Sequence, residues 1–232
     1  MKKVSKRLQE EKKKINKTSV YNLNDSISLV KQTASAKFNE SIEAHISLNI
    51  DPKYADQQLR TTVILPNGTG KKLTIGALVS AEKILEAKES GADVFGSQDL
   101  IDEISKGILN FDLLIATPEM MPKLAKLGKI LGPKGLMPSP KAGTVSSNLK
   151  MTIEEFKKGK LEYRADKTGI VHISFGKASF SQQELKENLL AFYNSVETNK
   201  PLGVKGKYIK KFTICSTMGP AIYLEVSSFL SL

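Results

Sequence analysis

Residues 41–50, SIEAHISLNI, alternate without a break: Ile42, Ala44, Ile46, Leu48 and Ile50 fall on one face, Glu43, His45, Ser47 and Asn49 on the other. A period of two over that length specifies a strand with one side buried. Such a strand needs hydrogen-bonded neighbours, and the next one, RTTVILP at 60–66, is not enough, because an isolated strand pair is unstable in water. After Pro66-Asn67-Gly68 the rhythm changes. KLTIGALV reads as a strand, AEKILEAKES as a helix between Ser80 and Gly91, ADVFG as a short strand, and QDLIDEISK as a helix between Ser97 and Gly107. The nearly all-apolar FDLLIAT is a strand buried on both faces, and Pro118 opens a helix in PEMMPKLAKLG. Three strand–helix alternations make a small parallel layer that pairs its own strands and leaves the N-terminal ones without partners.

The last third supplies them. KLEYRADKTGIVHISFG reads as a hairpin turning at Asp166-Lys167-Thr168-Gly169. Ser181 caps an amphipathic helix carrying Leu185, Leu189, Leu190, Phe192 and Val196, and strands follow at 208–214 and 221–226. Near the start, Asn24 or Asp25 caps a helix through Ile27, Leu29, Val30 and Ala34. The economical solution is a mixed α/β (α+β) chain of two domains. Residues 1–66 plus 160–232 form a discontinuous antiparallel α+β domain built from both chain ends. Residues 67–159 form an inserted βαβαβα, Rossmann-like domain. Two adjacent linkers join them, a hinge that permits domain motion.

The formal charge of +11 now matters, because a strongly basic chain usually meets a polyanion. Residues 1–17 hold eight basic residues against Glu10 and Glu11, and read as a basic helix or arm. Apart from Arg7, Arg60 and Arg164 every basic residue is lysine or histidine, which favours phosphate contact over reading guanine edges. Cys215 is the sole cysteine, so no intrachain disulfide is possible; it reads as a small buried hydrophobe on a strand. His45 and His172 lack metal-ligand spacing and read as strand side chains, so no metal site is expected. NGTGKKLT fails the phosphate-loop pattern, with Leu65 where the first glycine belongs and Lys72 where Ser or Thr belongs. No nucleophile elbow is present, and neither catalytic residue nor cofactor is expected. No apolar run reaches the roughly 20 residues of a membrane span, and no secretory or transit segment is recognised. The chain is thus expected to work where it is made.

Three stretches remain. KLGKILGPKGLMPSPKAGTV (126–145) threads Lys126, Lys129, Lys134 and Lys141 through glycines and prolines, a stiff basic loop suited to phosphate. KFNESIEAHISLNID (37–51) holds the alternating strand, and GKYIKKFTICSTMGPAIYLEV (206–226) sets Ser-Thr-Met-Gly-Pro between two strands without a common hairpin turn. In this order the three resemble the signatures of one family, the large-subunit ribosomal stalk protein L-one in its bacterial and plastid form. The resemblance covers nearly the whole chain.

It implies a non-enzymatic constituent of the large ribosomal subunit, a monomer there. Such a protein binds the rRNA segment of the mobile stalk beside the tRNA exit site and assists release of deacylated tRNA. It can also bind its own messenger and repress translation. Matched residue by residue, the RNA contacts are Phe38, Ser41, Glu43, Thr217, Met218 and Gly219, with Lys37 and Lys210 as neighbours. Ser41 stands where relatives often have threonine, keeping the hydroxyl and losing a methyl. Thr217 suits a ribose 2′-OH, Met218 a base or sugar, and Phe38 a stacked base or, alternatively, the core. Gly219 reads as the absence of a Cβ that would hold RNA away. Lysine bias and the absence of a targeting segment favour an organelle-encoded plastid ribosomal protein, with a bacterial cytoplasm as the alternative. Two other readings remain open: a ribosome-free messenger-binding regulator, and an α/β enzyme binding a small molecule on the insertion.

Overall fold

A computed structural model describes residues 5–229 apart from 17, 18, 202 and 205; Lys2, Lys3, Lys17 and the end of the terminal SSFLSL lie outside the described residues. In chain order the first elements are α1 (Lys6–Lys13), α2 (Leu23–Thr33), β1 (Ser41–Leu48) and β2 (Arg60–Ile64). Then come β3 (Ile75–Leu78), α3 (Ile84–Glu89), β4 (Val94–Gly96), α4 (Gln98–Ser105), β5 (Leu113–Ala116), α5 (Met121–Ala125) and α6 (Gly128–Leu131). The last are α7 (Leu149–Lys158), β6 (Lys160–Arg164), β7 (Ile170–Lys177), α8 (Gln182–Thr198), β8 (Ile209–Ser216) and β9 (Ile222–Leu224). The chain divides into two compact units, residues 1–70 with 162–232, and residues 71–161.

The first unit is organised by β1. Its neighbours are β7 on one side and β8 on the other, both antiparallel, in a sheet of order β7-β1-β8-β9. Ile42, Ala44, Ile46 and Leu48 are all buried, as the alternation demands. Phe175, Phe212 and Ile214 join them from β7 and β8, and Leu185, Leu189, Phe192 and Val196 of α8 complete the core with Ile27 and Val30 of α2. The start of α8 is fixed by a capping box: Ser181 and Glu184 each accept the other's backbone N–H.

The hairpin expected across 160–177 is not formed as such. The turn is present, with the Asp166 carboxylate accepting the N–H groups of Thr168 and Ile170. Beyond it the strands part: β6 joins β2 in a separate two-stranded sheet, and only an Ala165–Val171 bridge links the arms. Periodicity sets which face of a strand is buried; it does not choose the partner.

In the second unit β4-β3-β5 form a parallel sheet, in register Gly76–Val94 and Gly76–Leu114. One face is covered by Leu100, Ile104, Met120 and Leu124, the other by Ala87, Leu149, Ile153 and Phe156. Burial on both faces explains why β3 and β5 are nearly continuous apolar runs. The second layer needs α7, a helix absent from the sequence expectation. The expected loop 126–145 is also partly helical, through α6 and a 3₁₀ turn at Pro140–Ala142.

Candidate nucleic-acid interface

The loop after β8 is fastened to the start of β1. The Thr217 N–H donates to the Ser41 carbonyl at 3.0 Å. The Thr217 hydroxyl donates to that same carbonyl at 3.2 Å and accepts the Ser41 N–H at 3.0 Å. A hydroxyl has one proton and two lone pairs, so one acceptor position remains for a ribose 2′-OH. Thr217 is therefore a structural clasp as well as a candidate contact. Ser41 is held in turn: its hydroxyl accepts from Lys177 Nζ at 2.7 Å across the β1–β7 pair.

Glu40 ties a second segment to this loop. Its side chain is 1% exposed, and its carboxylate accepts the N–H of Ala36 at 2.9 Å and of Met218 at 2.9 Å. Burial alone would raise its pKa, but the two N–H groups and the Arg7 charge outweigh it and hold the carboxyl below the usual range. The Ser216 hydroxyl lies close enough to favour the same charge without meeting hydrogen-bond geometry, and has no hydrogen-bond partner among the described residues. Arg7 of α1 closes the arrangement, donating to the Met218 carbonyl at 3.0 Å and to Ser35 Oγ at 3.1 Å.

Around this rigid base Lys37 is exposed, Phe38 is 55% exposed and Met218 51%. Core packing for Phe38 is thereby excluded. Gly219 also has a reason inside the protein. A Cβ there would lie 2.4 Å from Ser216 Oγ, inside the loop and not on its outer side.

Glu43 projects from the outer face of β1, opposite Ser174 of β7 and Cys215 of β8. A bulge between Ile42 and Glu43 offsets it against β7, a local re-aiming common beside binding sites. The same face brings together residues that looked unrelated. His45 Nδ1 lies 2.8 Å from His172 Nδ1, and His45 Nε2 lies 3.3 Å from Cys215 Sγ. Cys215 is partly exposed here and not a buried hydrophobe. Burial and then the Glu43 charge push its thiol up to about 11. His45 is held below its usual value by burial and by His172, against Glu43.

Lys210 is not brought to the cluster. It is the extra residue where the β1–β8 register shifts, at the far end of β8, and seven residues of strand put it roughly 23 Å from Thr217. There it lines a groove of about 670 Å³ with Lys207, Lys211 and Tyr223. Lys126, Lys129, Lys134 and Lys141 are exposed and belong to the other unit. Sequence reasoning missed Arg7, Glu40 and Lys177. Glu40 stood inside a quoted motif, but an acidic residue offered no reason to choose it; Arg7 acts on a residue 211 positions away.

A basic chain that props exposed aromatic and thioether side chains on a clasped loop has the build of a nucleic-acid-binding protein. The Ribosomal protein L1p/L10e family matches residues 30–220. The chain is 60% identical over 231 residues to the large ribosomal subunit protein uL1c of Trieres chinensis, covering 99% of this chain and 100% of that one. It is 61% identical to uL1c of Guillardia theta over 229 residues, 99% and 97% of the two chains. It is 55% identical to uL1 of Prochlorococcus marinus (strain AS9601) over 228 residues, 98% and 97%. This chain belongs to the ribosomal protein L1p/L10e family, the structural and non-enzymatic ribosomal proteins. The relatives at 60% and 61% identity are named uL1c, and the one at 55% is named uL1.

Proposed function

We propose that the unit built from both chain ends binds the stalk segment of large-subunit rRNA through Phe38, Ser41, Glu43, Thr217, Met218 and Gly219, with Lys37 on an adjacent phosphate. The observation that carries this reading is the pair of exposed apolar side chains, Phe38 and Met218, on segments joined through one buried carboxylate. Exposed apolar surface on a rigid support is ready to cover a base without an ordering cost. Thr217 keeps a lone pair for the 2′-OH, the group that tells RNA from DNA. Glu43 accepts from a base amino group, so it serves orientation more than attraction. Lys210 meets the backbone farther along the same RNA. The separate unit, with Lys126, Lys129, Lys134 and Lys141, acts on exiting deacylated tRNA or restrains the stalk. The clasped surface serves the chain's own messenger where repression occurs.

Equilibrium binding to a stalk rRNA fragment at several salt concentrations tests this. Phe38→Ala weakens binding by about 1–3 kcal/mol if the ring stacks, with the melting temperature unchanged. Lys37→Ala lowers the log–log salt slope by about 0.7–0.9 for its one phosphate. Normal affinity in both variants removes this surface from RNA binding.

A further inference from the structure

The outer face of the four-stranded sheet carries a second constellation. Glu43 and His45 stand two positions apart on β1, so they share a face, and Cys215 of β8 is the cross-strand partner of Glu43. Glu43 Oε2 lies 3.9 Å from His45 Nε2, and Cys215 Sγ lies 3.3 Å from that same nitrogen. All three ligand atoms fall within 4.8 Å of one another. Zinc bonds of about 2.0–2.3 Å in tetrahedral geometry set neighbouring ligand atoms roughly 3.3–3.8 Å apart. Two of the three edges are thus close to the size of a zinc tetrahedron before any side chain moves.

We propose that Glu43, His45 and Cys215 form a site for one zinc-class divalent cation. The donor set selects the metal: a thiolate and an imidazole favour zinc over magnesium or calcium, which take oxygen. Three protein ligands leave a fourth position for water or a donor from a bound partner.

The surroundings fix the ring that matters most. For His45 Nε2 to bind metal, its proton must sit on Nδ1. Nδ1 is 2.8 Å from His172 Nδ1, which accepts that proton's hydrogen bond and leaves the His172 proton on Nε2. His172 Nε2 in turn faces Asp166 Oδ2 at 3.6 Å. Each nitrogen then has one consistent role, and His172 takes the place of the outer acceptor that commonly orients a ligating imidazole. The cross-strand neighbours on this face, Ser174 and Thr213, are uncharged, so neither repels a cation.

Cobalt(II) titration of the full chain tests the proposal, because a cobalt–thiolate bond gives a near-ultraviolet charge-transfer band and Cys215 is the only sulfur of that kind. One equivalent of cobalt is expected to raise the band and one of zinc to abolish it. Cys215→Ser removes the band. Glu43→Gln and His45→Gln weaken zinc binding at least tenfold. His172→Phe, which keeps a ring but loses the acceptor, weakens it by roughly 10–100-fold while the metal-free melting temperature stays the same. No band in the wild-type chain at saturating cobalt overturns the site. So does zinc affinity unchanged in both Cys215→Ser and His45→Gln.

Discussion

At Gly219 the side chain is excluded by the loop itself. Gly219→Ala puts a methyl 2.4 Å from the Ser216 hydroxyl, and overpacking of that kind costs about 1–3 kcal/mol. The variant is expected to melt lower and bind rRNA more weakly. The Ser216 hydroxyl makes no hydrogen bond of full geometry among the described residues, so the main cost of removing it is its support of the Glu40 charge. Ser216→Ala in the same chain should restore both properties, a coupling that thermal melts of the double variant read directly. Restored melting with rRNA affinity still lost would mean that the glycine also answers to RNA, whereas unrestored melting would mean that Ser216 is not the group the methyl meets. Glu40 presents the opposite case, a polar group that cannot be spared. Glu40→Gln replaces one acceptor oxygen by a donor, so the N–H of Ala36 or of Met218 loses its partner at a cost of about 1–3 kcal/mol. The pH dependence has a sign. The folded pKa of Glu40 lies below its ordinary 4.5, so its stabilisation is full above that value and is lost as pH falls through the folded value. Melts between about pH 5 and 3 should therefore show the wild type losing more stability than Glu40→Gln.

Among the elements, α1 contributes to the loop through Arg7. Arg7 reaches the Met218 carbonyl and Ser35, so a basic N-terminal segment becomes part of the loop's frame. Arg7→Ala should lower rRNA affinity by more than one lost phosphate contact, and Arg7→Lys should not restore it, since one ammonium does not reproduce the guanidinium fork. Full affinity in Arg7→Ala would show that the loop holds without α1. Much of the element order was readable: the alternation of 41–50 gave β1 and its buried face, and the apolar run 111–117 gave β5. What failed was pairing and spacing. The arms around Asp166 belong to different sheets, which no local pattern encodes. α7 does carry local signals: Asn148 accepts the Met151 N–H, Leu149, Ile153 and Phe156 recur at helical spacing, and Gly159 ends the helix at φ 113°. The residues proposed to contact RNA were named through the family resemblance, whereas the groups that support them in the structure, Arg7, Glu40 and Lys177, were not. Glu40 and Met218 are 178 positions apart, and only the pairing of β1 with β8 makes them neighbours.

For the whole molecule, the two compact units predict a separation of roles. Replacing residues 71–159 by a Gly/Ser linker keeps β6 and every residue of the clasped loop, and loop-closure entropy grows only slowly with linker length. The shortened chain should fold, bind stalk rRNA nearly as well as the full one, and fail to support tRNA release on reconstituted ribosomes. A folded fragment that binds about 100-fold more weakly, near 2.7 kcal/mol, would move the main RNA site to the other unit. The position of β1 also bears on synthesis. Its strand leaves the ribosome early, yet its neighbours begin only at Ile170 and Ile209, and the clasp needs Thr217. Pairing between such distant segments is slow to form and waits for the later one. A growing chain therefore lacks the clasp between Ser41 and Thr217 until it is nearly finished. On the proposed function, only a nearly complete copy would present the surface offered to rRNA.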